Sequence, residues 1–157
     1  MKSRTLKQAG VGSVFAIPIG DEQFGFGQVA EGLDVAFFDY RSKALPAAPE
    51  IAGHRVAFRV PVADDGPIVG HWKLLGKAPL QRSLSERARY RHQPVGSDVS
   101  LVYSNGVSRP ATPTDEVEKL EVLATWFAEH IQSRLQDHFA GRPNVYVQTL
   151  ELPPKYP

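Results

Sequence analysis

The fold is decided by one stretch, residues 13–40, which reads SVFAIPIGDEQFGFGQVAEGLDVAFFDY. Large apolar residues alternate with smaller ones in three short runs, and a period of two is typical of β-strands. Turn residues separate the runs at 20–22 and at 31–32. Pro18 cannot donate to a ladder, so it places the first strand at an edge or ends it there. We therefore predict an antiparallel β-meander over residues 12–40.

The rest of the chain carries further strand patterns. Residues 54–62 alternate in the same way, and residues 71–76 form a short apolar run. The Asn105-Gly106 pair lies between two β-prone runs and is the strongest short signal for a hairpin. Residues 144–152 alternate again, which predicts a last strand.

One long helix is predicted over residues 113–140. Thr112 is a natural N-cap, Pro113 suits the first helical position, and Gly141 ends the helix. Apolar residues recur at helical spacing along one side of this segment: Val117, Leu120, Leu123, Phe127, Ile131 and Leu135. We expect this stripe to be buried, so that Leu123→Asp would strongly destabilise the domain by placing an unpaired charge in the core.

Together these patterns predict an α+β fold that is mainly β. The expected architecture is a bent antiparallel sheet or a small barrel, with the one long C-terminal helix packed on it, because an amphipathic helix needs an apolar surface to cover. The 157 residues fit a single domain, 1–157, and no linker long enough to divide them is present.

The composition is typical of a soluble globular protein without thiol chemistry. Hydrophobic residues make up 42% of the chain and charged residues 22%, which disfavours disorder. There are no cysteines, which excludes disulfides, a cysteine nucleophile and cysteine-based zinc sites. No apolar run approaches the ~20 residues that a membrane span needs, and residues 1–7 do not open a secretory signal. The expected location is the cytoplasm.

The sequence offers no recognisable catalytic, cofactor or metal site, and we therefore expect neither an enzyme nor a cofactor. None of the five histidines lies at a metal-ligand spacing. Gly25 and Gly27 do not begin a phosphate-binding loop, because they lie inside a strand pattern and do not open a helix. They predict instead a bulge or a close backbone approach. An enzyme whose site only folding assembles remains a minor alternative.

Four blocks of the chain, taken in order, resemble immunity protein family 26, a family of small proteins from bacterial polymorphic toxin systems. The blocks are Gly12 to Ile19, Phe24 to Val29, Ala36 to Tyr40, and His71 to Leu80. The resemblance does not extend to the predicted helix or the last strand. It implies a predominantly β protein, encoded beside a toxin, that binds and neutralises that toxin. No catalytic residues and no toxin-binding residues come with it.

The meander is also the predicted partner-binding surface. From Gln8 to Tyr40 the chain has five acids and no Lys or Arg. Acids in turns stay solvated at strand ends and can attract a basic partner, although the simpler interpretation is that they only keep the loops soluble. The predicted partner-binding residues are Asp21, Glu22, Glu31, Asp34, Asp39, Tyr40 and Trp72. Trp72 suits the core and an interface equally well.

Neutralisation of a toxin by direct binding is the leading function. The expected partner is the cognate toxin domain encoded by a neighbouring gene. The net charge of +1 does not favour nucleic acid, and nothing indicates a membrane partner. The alternative is a small β-barrel that binds a ligand or nucleic acid through Arg87, Arg89 and Arg91 with Tyr90. In the simpler interpretation, residues 82–97 are a solvated polar connection.

Overall fold

The computed structural model describes residues 4–151 and 153–157. Its main sheet contains five antiparallel strands in the order β4-β3-β2-β1-β5. These strands are β1 (Ser13–Gly20), β2 (Gln23–Val29), β3 (Val35–Ser42), β4 (Val56–Val60) and β5 (Lys73–Lys77). The predicted meander and the α+β fold class are confirmed. The sheet is open, so the barrel alternative is wrong.

The register of the meander explains its unusual residues. The ladder between β2 and β3 shifts between Gly25 and Gly27, which confirms the predicted bulge. A side chain at Gly27 would begin 2.7 Å from the ring of Phe15, so only glycine fits there. The first strand is not an edge strand, because β5 pairs with its first half as far as Ala16. Pro18 lies beyond that point. Its missing N–H therefore leaves no hydrogen bond to β5 unmade.

Both faces of the main sheet are covered, which is why its strands read as nearly continuous apolar runs. On one face, Phe15, Ile17 and Phe37 pack with Trp72, Trp126 and the C-terminal helix. The other face packs against α2 (Ala48–Ala52). Successive side chains of β3 point to opposite faces of the sheet, so Phe37 lies on the first face and Phe38 on the second.

A second, smaller sheet follows the main sheet in the chain. It contains β6 (Tyr90–His92), β7 (Leu101–Ser104) and β8 (Val107–Pro110), all antiparallel and in that order. Asn105 and Gly106 form the turn between β7 and β8, and both have positive φ, 52° and 80°. The predicted hairpin is therefore confirmed, and the residue types match the turn geometry.

The predicted helix over 113–140 is wrong in its first half, because α4 spans only Ala128–Ala140. The capping box of Thr112 and Asp115 exists, but it opens a single 3-10 turn, Pro113–Asp115. A second such turn, Val117–Lys119, follows a left-handed Glu116. Residues 121–126 are extended because their backbone N–H and C=O groups form hydrogen bonds with strand residues. The N–H of Arg91 donates to Glu121 O at 2.8 Å, and that of Leu123 donates to Arg91 O at 2.7 Å.

The predicted last strand is also wrong, because α5 (Val145–Leu150) is a helix. The Asn144 side chain accepts hydrogen bonds from the N–H groups of Tyr146 and Val147, which caps the helix. Leu152, the last residue of the predicted strand, lies outside the described residues. The remaining helical segments are short: α1 (Leu6–Ala9), α3 (Ile68–His71) and a 3-10 turn, Arg82–Leu84. No helix in the described part of the chain is long and apolar enough to cross a membrane.

Candidate partner-binding site

The predicted partner-binding acids do not form one surface. Asp21 and Glu22 make the exposed turn between β1 and β2, where both have positive φ. Glu31 is exposed in the turn between β2 and β3. Successive turns of a meander lie at opposite ends of the sheet, so these acids are separated by the full length of the strands.

Asp39 and Tyr40 lie on β3, near the end that carries Asp21, and both are half-buried. The Asp39 carboxylate accepts a hydrogen bond from Arg55 at 2.7 Å and lies 2.8 Å from His138 Nε2. These two contacts, with His138 the stronger, lower the pKa of Asp39 below its ordinary 3.8. Tyr40 stacks on His54 with the ring centroids 3.9 Å apart. Both side chains are therefore engaged within the fold.

Trp72 belongs to the core, where it is 6% exposed and stacks on Phe15 with the centroids 5.3 Å apart. The interface alternative for Trp72 loses its physical basis. Asp34 is 8% exposed, so the expectation that it stays solvated at a strand end is wrong. Its burial requires a partner, because an unpaired carboxylate in an apolar site is very unfavourable.

Asp34 finds that partner in Arg59, a residue of β4. Arg59 Nε donates to Asp34 Oδ2 at 2.8 Å, and Arg59 Nη2 donates to Oδ1 at 2.9 Å, which is a bidentate pair. The same guanidinium donates to three backbone carbonyls, those of Glu31, Ser83 and Glu86. It therefore fastens the turn after β2 and the segment before β6 to β4.

The Tyr90 hydroxyl completes this network by donating to Asp34 Oδ2. Burial, followed by the hydrogen bond to the Asp34 carboxylate, raises the pKa of Tyr90 far above its ordinary value of 10. Tyr90 therefore remains a neutral donor at every physiological pH. The Asp34–Arg59–Tyr90 network ties the first strand of the small sheet to the main sheet.

A cleft opens beside this network, with a volume of about 530 Å³. We call it the inter-sheet cleft, because its walls come from both sheets. They comprise Glu31 to Asp34, Pro61 and Val62, Arg87 with Ala88 and Tyr90, Tyr103 with Asn105 and Gly106, and Leu123 to Thr125. The fold thus brings together Glu31 and Asp34 from the predicted acidic surface and Arg87 and Tyr90 from the alternative hypothesis.

The three arginines of the alternative hypothesis are not displayed as one basic stripe. Arg87 is exposed at the cleft, with its guanidinium near Gly32. Arg89 lies 3.4 Å from Asp115, and Arg91 is almost fully buried. The sequence reasoning missed Arg59, although it lies within the alternating segment 54–62. An arginine inside a strand that also carries Phe58 was the available signal.

The arrangement of side chains in the cleft is better suited to binding another molecule than to catalysis. The cleft presents an exposed carboxylate, Glu31, and an exposed guanidinium, Arg87, beside aromatic and backbone groups. Such a mixture can form charge-assisted hydrogen bonds with a protein surface. Within residues 4–151 and 153–157, no three His, Asp or Glu side chains lie close enough to hold a metal ion.

Comparison with known proteins adds one finding. The family model described as Immunity protein 26 matches residues 10–98, which is more than half of the chain. The matched region contains all five strands of the main sheet, the Asp34–Arg59–Tyr90 network and the Arg87 side of the cleft. No curated protein and no solved structure gives a significant match.

Proposed function

The chain belongs to the Immunity protein 26 family, and on that premise we propose that it binds a cognate bacterial toxin and neutralises it by direct contact. Family membership over residues 10–98 is the observation that carries the proposal. The proposed partner is the toxin domain encoded by a neighbouring gene. The proposed place of action is the cytoplasm of the bacterium that makes both proteins.

Neutralisation is proposed to be stoichiometric rather than catalytic. An inhibitor that works by binding needs a stable surface and no reactive group, which is consistent with the well-packed main sheet and the saturated Asp34–Arg59–Tyr90 network. Growth of cells that express the toxin domain should be rescued by co-expression of this chain. With purified proteins, inhibition should be complete at a fixed molar ratio. Absence of both rescue and a complex in a pull-down would reject the proposal.

We further propose that the toxin docks over the inter-sheet cleft, with Glu31 and Arg87 as its polar contacts. The cleft is concave, it lies largely within the matched region, and its exposed side chains carry both signs of charge. In this proposal Asp34 stabilises the cleft through its ion pair with Arg59. Trp72 affects the docking surface only through its packing in the core.

The docking proposal has a matched control at the other end of the sheet. Glu31→Lys combined with Arg87→Glu should weaken toxin binding by at least about tenfold, because opposed charges would replace two charge-assisted contacts. Glu22→Lys combined with Lys43→Glu also exchanges the charges of two exposed side chains without changing the net charge, and it should leave the affinity unchanged. Both variants should retain the wild-type melting temperature. The reverse pattern would move the docking surface to the turn between β1 and β2.

The alternative of a small β-barrel that binds a ligand or nucleic acid through Arg87, Arg89 and Arg91 loses its structural support. It required a closed barrel and three presented arginines, whereas the main sheet is open and Arg91 is buried. Salt-dependent binding to DNA or RNA would be needed to restore it.

A further inference from the structure

Arg91 is a buried cation whose guanidinium has no protein partner among the described residues. It follows Tyr90 in β6 and therefore points to the opposite side of that strand, away from Asp34. Arg91 is 6% exposed, its Nη2 is fully buried, and that nitrogen donates no hydrogen bond to residues 4–151 or 153–157. Desolvation of a charge is strongly unfavourable unless an acceptor faces it.

Arg91 lines a second cavity, of about 430 Å³, on the side of β6 remote from the inter-sheet cleft. Trp126 lines the same cavity. It is 3% exposed, and its indole Nε1 is the other buried donor there without a protein acceptor among the described residues. Leu120, Val122, Val147 and Leu150 provide apolar walls. The two residues that carry these unsatisfied donors thus line one cavity, together with apolar side chains.

The rim of this cavity has the opposite charge. Glu118 and Glu151 are exposed there, and the third acid, Glu121, is paired with Arg134, whose Nη1 donates to it at 3.2 Å. Lys119 lies at the rim but is paired with Glu116. The lining therefore combines a buried cation, Arg91, with two exposed acids, Glu118 and Glu151.

We propose that this cavity is a carboxylate-binding site in which Arg91 and the Trp126 indole N–H donate to the bound group. Two donors that lack a protein acceptor among the described residues match a carboxylate, which only accepts hydrogen bonds. The apolar walls fit an aliphatic carrier, and the two exposed acids favour a carrier with a positive charge. The carboxylate belongs either to a small organic acid or to an acidic residue or C-terminus of a bound protein.

The first experiment uses the wild-type protein and small probes. L-leucine carries a carboxylate, an aliphatic chain and an ammonium group. 4-Methylpentanoate lacks the ammonium, and 4-methylpentanamide also lacks the charge of the carboxylate. Calorimetric affinity should fall in that order, with the amide at least about tenfold weaker than the acid. In amide correlation spectra, the indole N–H signal of Trp126 should shift on binding, whereas that of Trp72 serves as an internal control.

Variants of both donors test the assignment. Arg91→Met retains an apolar stem of similar length and should abolish probe binding without lowering the melting temperature, since the buried Nη2 makes no hydrogen bond to the described residues that could be lost. Trp126→Phe keeps an aromatic side chain but removes the N–H donor, and it should weaken binding several-fold. Arg82→Met, an exposed arginine outside the cavity, is the matched control.

The two sources of the carboxylate give different results. Probe binding with unchanged toxin affinity in Arg91→Met identifies a small-molecule site. Loss of toxin affinity in Arg91→Met, with no probe binding to the wild type, assigns the carboxylate to the toxin. The proposal is overturned if no probe binds and Arg91→Met keeps full toxin affinity, or if Arg91→Met and Trp126→Phe both unfold while no probe binds the wild type. The probe arm is independent of the proposed function, so either can fail alone.

Discussion

Asp34→Ala should be among the most destabilising single substitutions outside the apolar core. The change removes two hydrogen bonds from Arg59, at 2.8 and 2.9 Å, and the one from the Tyr90 hydroxyl. Both ends of the ion pair are almost fully buried, so the guanidinium that remains would be poorly solvated. Breaking a buried pair by removing one partner costs about 3–5 kcal/mol. That is a large part of the ~5–15 kcal/mol by which a domain is stable.

Urea denaturation followed by tryptophan fluorescence measures this loss. With a slope of about 2 kcal/mol per molar urea, the midpoint should fall by about 1.5–2.5 M. Asp39→Ala is the matched control, because it also removes an aspartate from an arginine pair. That pair is solvated, with side-chain exposures of 31% for Asp39 and 82% for Arg55. Its loss should cost no more than ~1 kcal/mol.

A double variant separates the lost attraction from the stranded charge. Arg59→Met added to Asp34→Ala removes the stranded cation together with its bonds to three carbonyls, so the double variant should lose less stability than the sum of the two separate losses. The reasoning is refuted if Asp34→Ala unfolds within ~1 kcal/mol of the wild type, or if the added Arg59→Met lowers stability further by its full separate cost.

Three other outcomes are expected. Leu135→Ala, on the fully buried side of α4, should lower the unfolding free energy by about 2–5 kcal/mol, measured by thermal or urea denaturation. Gly27→Ala places a methyl group 2.7 Å from the Phe15 ring and should cost ~1–3 kcal/mol, and an unchanged melting temperature would contradict the register. Because the folded pKa of Asp39 is depressed, its contribution to stability is present above pH 3.8 and is lost as the pH falls below that value. The melting temperatures of wild type and Asp39→Asn should therefore differ at pH 6 and converge as the pH falls well below 3.8, and a gap that stays open there would contradict this assignment.

The elements that sequence predicted well are those whose local signals agree with their burial. In the three runs of the meander, large and small side chains alternate and turn residues flank each run. Most of these side chains are buried, so the local pattern and the tertiary packing favour the same structure. Asn105-Gly106 fixed its hairpin for the same reason, because the turn requires positive φ.

The helix was over-extended because an apolar spacing of three and four continues upstream of α4 without a helix beneath it. Leu123 matches the stripe, but its N–H bonds to Arg91 and its side chain lines the inter-sheet cleft, half-exposed. Leu123→Asp should therefore cost much less than the sequence pattern indicates. Pairing with a strand that is distant in sequence decided the conformation, and no local pattern reports such pairing.

The candidate site was predicted in parts and not as a whole. Acidic turns are visible in the sequence, but only folding shows that Asp34 faces Arg59 whereas Glu31 faces solvent. The separation of Asp21 from Glu31 follows from the meander itself and could have been derived. The burial of Arg91 could not have been derived from the sequence, because it depends on residues 120–126 and 147–150, which are far away in the chain.

The position of α4 in the chain determines when one apolar face of the main sheet can be covered during synthesis on the ribosome. The last strand of the main sheet ends at Lys77, yet Ile131 and Leu135, which cover the face carrying Phe15 and Phe37, are translated more than 50 residues later. At ~5–20 residues per second, that interval lasts about 3–12 s. During it the nascent chain carries an uncovered apolar face, which is the kind of surface that chaperones hold. A fragment that ends after β6 would contain nearly all of the matched region and would still lack the helix that covers this face.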